Sequence, residues 1–351
     1  MTAERRIAIA AGGTAGHVVP ALAVADALRA EGAEVLFVGG ERAEAELVPA
    51  AGYALHGIRV AGLDRKNPLR AVRAAFLAAR AVVTSLRLLR SLRANAVLGG
   101  GGYVAGPVGL AAVLLRIPLV LTEADSHLGI ANRLLAPFAR RVCLAFPIAG
   151  RSGDRYRVTG RPVPPPATDR AAARERFGLS PDDTVVLVFG GSLGARSINH
   201  AAVEAFADAP FRVLHAAGAR DYPALSAPGS HYDLREYVHE FGDALLAADL
   251  VVARSGGSIF EVAAHGRPAI LIPYPAAAAD HQTANARWMA DGGAAVVIAD
   301  ADLTAERLRA EVDALLADRN RLSAMAAASA ALARPDAAHD IAAELLAAAA
   351  R

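Results

Sequence analysis

Two strings in this 351-residue chain have the make-up of anion sites: Gly12-Gly13-Thr14-Ala15-Gly16-His17 and Gly190-Gly191-Ser192-Leu193-Gly194-Ala195. Each follows a short apolar run and opens a stretch with helical spacing. A glycine-rich turn from strand into helix leaves backbone N–H groups at the positive end of the helix dipole, which suits a phosphate or diphosphate. Both strings read G-G-x-x-G. Neither is G-x-G-x-x-G, and no Gly-Lys-Ser/Thr follows, so the dinucleotide fingerprint and the P-loop are both unsupported. A tight turn with close strand–helix packing accounts for either loop alone. Two in matching positions favour a ligand, because open parallel sheets bind at the carboxyl ends of their strands.

Four further features could line such sites. Gly99–Gly102, with Tyr103, Gly106 and Pro107, has more glycine than a turn needs and allows close approach of a ligand. Arg254-Ser255-Gly256-Gly257-Ser258-Ile259-Phe260-Glu261 again runs from strand into helix. Glu261, about one turn inside, either complements the dipole or binds both hydroxyls of a ribose. Asp280-His281-Gln282 through Asn285 opens the next helix, as a cap or as polar lining. His17 falls at the first helical position after its loop, where the dipole depresses its pKa and favours a neutral acceptor.

The elements that must hold these groups alternate. Strands are predicted at 6–11, 35–38, 54–58, 96–98, 119–122 and 142–146, with helices at 18–30, 68–93, 106–115 and 129–136. The proline run at 161–166 breaks the pattern and marks a linker. Strands then resume at 184–189, 211–215, 234–238, 250–253 and 269–272. Helices are predicted at 196–206, 243–247, 258–265, 282–290, 305–317, 319–331 and 337–350. Such alternation predicts an α/β chain of two domains with parallel sheets. The predicted domains are 1–160 and 161–335, with a final helix at 336–351.

Charge is unevenly spread. The net charge is +2, yet no acid occurs between Asp64 and Glu123. That window holds Arg65, Lys66, Arg70, Arg73, Arg80, Arg87, Arg90, Arg93 and Arg116, which implies an anionic partner. Arg73, Arg80 and Arg87 recur every seven residues beside Phe76, Val83 and Leu86, which fits residues 65–93 to an anionic membrane surface. A solvated helix face is the alternative. Mean hydropathy is +0.31, but the longest uncharged stretch, 94–115, contains the third glycine cluster and does not read as a span. Cys143 is the only cysteine, so neither an intramolecular disulfide nor a cysteine metal cluster can form. No apolar leader precedes the first strand, and a cytoplasmic protein is expected.

Taken together, 12–28, 99–112, 129–136, 190–199, 254–268 and 280–286 resemble the MurG family, in the family's order and over nearly the whole chain. The resemblance implies a GT-B fold, two Rossmann-like domains with parallel sheets facing a central cleft. It implies an inverting glycosyltransferase that moves N-acetylglucosamine from UDP-N-acetylglucosamine to undecaprenyl-linked lipid I, making lipid II for peptidoglycan. It also implies a peripheral enzyme on the cytoplasmic face of the cell membrane, with no cofactor, no bound metal and no nucleic-acid partner.

By position, the resemblance places Thr14, Gly16, Arg161, Gly191 and Ser192 at the donor, the last three on its diphosphate. Ser258 and Glu261 go to the ribose side, Gln282 and Asn285 to the sugar, and Phe241 to the uracil. Tyr103, Asp125 and Asn132 face the acceptor. The base is expected to be His17, with Glu123 as second choice; Asp125 is the unexpected acid, and spacing does not rank it against Glu123. Three departures stand out: Glu123-Ala124-Asp125 replaces the family's Glu-Gln-Asn, and the spacings 254–261 and 241–249 are shortened. Other readings are another UDP-sugar enzyme of this fold (a glycolipid transferase or UDP-N-acetylglucosamine epimerase), a non-catalytic UDP-sugar sensor and, least supported, a dinucleotide oxidoreductase.

Overall fold

The structure, a computed structural model, describes residues 5–59, 68–277 and 280–350. Arg65 and Lys66 lie outside the described residues, as do the side chains of Arg70, Arg73 and Phe76. The chain divides into two units, Met1–Pro164 with Arg334–Arg351, and Pro165–Ala333. Arg161 thus belongs to the first unit, not to the domain beginning at 161. The cause is local: Thr159 N and Gly160 N both donate to Leu144 O, and an Arg161 guanidinium N–H donates to Gly16 O.

The first unit holds strands β1 (Arg6–Ala10), β2 (Glu34–Gly39), β3 (Ala54–Gly57), β4 (Ala96–Gly99), β5 (Leu119–Glu123), β6 (Arg141–Leu144) and β7 (Tyr156–Val158). They form one parallel sheet in the order β3-β2-β1-β4-β5-β6-β7. Its helices are α1 (Ala15–Ala30), α2 (Ala43–Ala50), α3 (Pro68–Leu92), α4 (Ala105–Leu114) and α5 (Ile130–Leu135). Because helices cover both faces, β1 is apolar without alternation, and Ile7 to Ala10 are fully buried. Two elements of this unit have no counterpart in the sequence reading. Helix α2 is only eight residues long, with Leu47 and Val48 its only large apolar side chains, and β7 is a three-residue edge strand with two exposed residues.

The second unit has β8 (Val185–Phe189), β9 (Arg212–Ala216), β10 (Tyr232–Arg235), β11 (Leu250–Ala253), β12 (Ala269–Leu271) and β13 (Ala295–Val297), parallel in the order β10-β9-β8-β11-β12-β13. Its helices are α6 (Arg170–Arg176), α7 (Arg196–Ala205), α8 (Phe241–Ala247), α9 (Ile259–Ala264), α10 (His281–Asp291), α11 (Ala305–Ala317) and α12 (Arg319–Leu332). Strand β10 sits earlier than the predicted 234–238. Its register sets Tyr232 beside Val213 and brings the Tyr232 hydroxyl to buried His215. Beyond Arg235 the chain turns off, and Glu236 O accepts from Gly218 N.

The last helix, α13 (Ala337–Ala349), packs in the first unit. Ile341, Ala342, Leu345 and Ala348 join the core under α1, while Glu344 accepts from Arg141 and Arg157 at the sheet edge.

Both sheets reverse strand order beside their first strand, between β1 and β4 and between β8 and β11. All four glycine-bearing loops singled out in the sequence follow one of those four strands. Topology thus puts them at the switch points, where open α/β sheets bind ligands.

Candidate functional site

In the first unit the loops after β1, β4 and β5 border a cavity of about 240 Å³. His17, Glu123, Asp125 and Arg161 line it, with Gly16 and Gly101. The β1 and β4 loops touch so closely that only glycine fits at 102, where φ is +75° and a Cβ would strike Gly12 O.

His17 is the third residue of α1, not the first, and Thr14 is the N-cap, though its side chain makes no cap bond. Instead the Thr14 hydroxyl lies 3.2 Å from His17 Nδ1. The imidazole is held below its ordinary pKa, first by burial and then by the Arg161 cation, while Asp125 and Glu44 pull it back up. Burial is the largest cause that keeps this ring neutral.

Glu123 is only 7% exposed and its oxygens are occupied. It accepts from Gly129 N at 2.8 Å, Asn132 Nδ2 at 2.9 Å and Asp125 N at 3.2 Å. Burial pushes its carboxyl up and these three donors oppose the shift. Buried Asn132 also donates to Thr122 O. Glu123 and Asn132 therefore fasten the loop that presents Asp125, which is half-buried at the cavity wall.

Tyr103, expected on the acceptor side, turns its hydroxyl to Glu44 Oε1 at 2.7 Å. Burial and that carboxylate push its pKa up to about 12. Arg161, expected on the donor diphosphate, lies with the first-unit groups and donates to Gly16 O at 2.6 Å.

In the second unit, Gly191 (φ +92°) and exposed Ser192 form the turn after β8. Beneath it lies a closed polar network. Asn199, fully buried, donates through Nδ2 to Ala217 O at 2.9 Å and Asp221 at 3.1 Å. Its Oδ1 therefore faces His215 Nε2, 3.0 Å away, as an acceptor. That assigns the proton to Nε2 and leaves Nδ1 to accept from the Tyr232 hydroxyl at 2.7 Å. Burial lowers His215 to about 4. Arg220 donates twice to Asp221, closing the network at the surface.

The segment after β11 is tied by its arginine. Arg254 donates to Ile272 O, Pro273 O and Asp300, and to the Ser197 hydroxyl at the start of α7. Ser258 is the N-cap of α9 and Glu261 its third residue, half-buried. Phe241 is the first residue of α8, not a loop residue before it, and meets Phe189 edge-on at 5.0 Å.

Asn285, expected on the sugar, is 2% exposed and donates to Ser255 O at 2.9 Å. It braces the Ser255 loop, and its Oδ1 is buried without a partner. Gln282 Oε1 accepts from Tyr274 N. Asp280 is the N-cap of α10, but its side chain makes no cap bond; its backbone is left-handed (φ 54°) and its carboxylate accepts from the Thr283 hydroxyl.

Sequence reading passed over Glu44, Asn199, His215 and Asp300. The first three are buried polar residues in or beside apolar stretches, and that misfit was the available clue. Among the described residues, no group of three or more His, Cys, Asp or Glu side chains could hold a metal ion.

Comparison with known proteins gives matches along the chain. Residues 7–144 match the glycosyltransferase family 28 N-terminal domain and 185–341 the glycosyltransferase family 28 C-terminal domain. A protein of Moorella thermoacetica is 42% identical over 95% of this chain and 96% of its own length. One of Rubrobacter xylanophilus is 44% identical over 93% and 98%. Both are named UDP-N-acetylglucosamine–N-acetylmuramyl-(pentapeptide) pyrophosphoryl-undecaprenol N-acetylglucosamine transferase. The crystal structure of Acinetobacter baumannii MurG superposes with a TM-score of 0.80 at 31% identity, covering 98% of this chain and 99% of that one. A Listeria monocytogenes structure described as a UDP-N-acetylglucosamine 2-epimerase reaches 0.72 at 17% identity over 97% and 95%, a likeness of fold alone.

Proposed function

The chain belongs to the MurG family, within glycosyltransferase family 28, and from that premise we propose how its two units work. It is an N-acetylglucosaminyltransferase of GT-B type that moves N-acetylglucosamine from UDP-N-acetylglucosamine to lipid I, making lipid II for peptidoglycan synthesis. The observation that carries this is identity above 40% along almost the entire length of both partners. The other UDP-sugar readings are not favoured.

In the proposed reaction the acceptor O–H gives its proton to a base, and its oxygen attacks the anomeric carbon. The bond to the diphosphate breaks on the opposite side, and UDP leaves with the electron pair, inverting the centre. Backbone N–H groups at Gly191 and the Ser192 hydroxyl suit the charge gathering on UDP. Glu261 suits the ribose. His17 is the base best supported: it is neutral, at the cavity wall, and its Nδ1 is next to Thr14. Glu123 is a weaker candidate, since three N–H donors already occupy its oxygens. Asp125 is the remaining acid.

The membrane partner gains support from the first unit's surface. On α3, Arg80, Arg87 and Arg90 are exposed beside Val83. The neighbouring α4–α5 surface exposes Leu114 (60%), Leu134 (66%) and Phe138 (66%) among exposed Arg116, Arg133 and Arg140. Apolar groups ringed by cations fit an anionic bilayer surface. Among the described residues no helix is long and apolar enough to cross a membrane. A peripheral place on the cytoplasmic face is therefore part of the proposal.

UDP release with a short-chain lipid I analogue tests the reaction, with UDP-glucose as the competing donor. Release that needs both the analogue and UDP-N-acetylglucosamine is expected. Turnover without acceptor would point to another UDP-sugar enzyme. Binding without any turnover would point to a sensor.

A further inference from the structure

Glu44 is fully buried at the start of α2, outside every motif that carries the family resemblance. A buried carboxylate is costly unless its oxygens are satisfied. Here they take donors from three separate segments. Oε2 accepts from Gly13 N at 2.8 Å; Oε1 accepts from Gly40 N at 2.9 Å and the Tyr103 hydroxyl at 2.7 Å. Those donors sit at the carboxyl ends of β1, β2 and β4, adjacent strands of the sheet. Space is reserved around the carboxylate: a Cβ on Gly12 would stand 2.6 Å from Oε1, and one on Gly39 2.9 Å from Cγ. Arg42, the N-cap of α2, stacks 4.8 Å over the Tyr103 ring and covers the cluster.

We propose that Glu44 is a positioning residue of the glycosyl transfer, locking the β1–α1 loop to the β4–α4 loop and so fixing the His17 ring in its cavity. It does not line that cavity and acts through the loops. The chain of contacts is continuous. Gly13 leads through Thr14 to His17, whose ring rests against Gly101, two residues before Tyr103. The inference rests on the transferase reading above, with His17 as the base.

An amide at this position cannot replace the carboxylate. Its NH2 would face either Gly13 N–H or the Gly40 and Tyr103 donors, so at least one arm is lost. The charges that shift His17 are Arg161, Asp125 and Glu44, and Glu123 lines the same cavity. Loss of the Glu44 charge takes away one influence that raises the His17 pKa, so that pKa falls further.

The test first establishes turnover of the lipid I analogue by the wild-type protein; no turnover there sinks the transferase reading and not this one. Glu44→Gln is then expected to lower kcat about 10- to 100-fold, with the KM for UDP-N-acetylglucosamine unchanged within twofold. NMR titration of labelled His17 should show its midpoint moved to lower pH. Tyr103→Phe, which removes one arm, should lower kcat less, and the double variant should fall short of the product of the two effects. If Glu44→Gln does not fold, Tyr103→Phe alone carries the test. Wild-type kcat and an unmoved His17 midpoint in whichever variant folds would overturn the proposal. So would an equal loss of donor affinity, the mark of general misfolding.

Discussion

Acid should weaken the second unit, and His215 should carry a large, separable share of that loss. Its ordinary pKa of 6.5 falls to about 4 in the fold because burial penalises the cation. Above 6.5 both folded and unfolded chains hold it neutral, and its contribution is complete. As pH drops below 6.5 the unfolded chain takes up a proton that the folded one refuses, so stability falls until about pH 4. At 1.36 kcal/mol per unit the loss is about 3 kcal/mol, a large part of a typical domain's stability. Trp288, the only tryptophan, lies in α10 of the same unit and reports its unfolding. Urea titrations at pH 7.5 and 4.5 should therefore show a large drop for the wild type. His215→Gln should be less stable at pH 7.5, since the Asn199 and Tyr232 bonds are disturbed, but its drop between the two pH values should shrink by about 3 kcal/mol. His265, also lowered by burial, titrates in both proteins and cancels. Equal drops in the two proteins would refute the assignment of a buried, neutral His215.

Four other outcomes follow from the sites. His17→Ala should lower kcat about 10²- to 10⁴-fold with donor KM little changed; if it keeps its kcat while Asp125→Asn loses it, the base is the aspartate. Arg161→Gln keeps a donor for Gly16 O but removes a cation that lowers the His17 pKa, so the acidic limb of the kcat profile should move up, and a downward move would count against His17. Ser192→Ala should weaken UDP binding about 10-fold or more, as loss of a hydrogen bond to a charged group does, and Glu261→Ala should weaken UDP and uridine alike, both read by calorimetry. Leu134→Asp with Phe138→Ser should abolish co-sedimentation with anionic vesicles and spare UDP binding; sedimentation that ignores both the variant and salt would remove the membrane face.

The fold was legible because fully buried parallel strands leave plain traces. TVVLVF at 184–189 and RIAIAA at 6–11 have no other economical reading, and the glycine loops after them mark the turns. Elements without such a trace escaped: α2 is a short run of eight residues with two acids in its first turn, and β7 is an edge strand of three residues, two of them exposed. At the site, residue types were readable and their burial was not. The resemblance puts Asn285 at the sugar and Asn132 on the acceptor side; in the fold both are buried and hold backbone carbonyls, which their residue type does not reveal. The resemblance assigns Arg161 to the diphosphate, and its bond to Gly16 O is set by a loop far away in sequence. Glu44 carried no motif at all, only the oddity of an acid that the fold leaves no exposed surface.

The two units solve the same problem with different charges, and this bears on which ligand each loop suits. A glycine loop at a switch point must be held from below, so that its remaining N–H groups can meet a ligand. In the first unit the support is the Glu44 carboxylate, and Asp125 adds a second negative charge against Arg161 and Arg42. In the second unit the support is the neutral Asn199–His215–Tyr232 chain. Its one acid, Asp221, is paired with Arg220 and lies 3.6 Å from Arg196, leaving a cationic excess at the Ser192 turn. A diphosphate gains from that excess and from an unopposed helix dipole. Around the first loop a buried anion offsets part of the dipole, and a neutral imidazole stands at the cavity wall, which suits a hydroxyl that must lose its proton. The support residues thus agree with a donor diphosphate on the second unit and an acceptor hydroxyl on the first, by an electrostatic route independent of sequence identity.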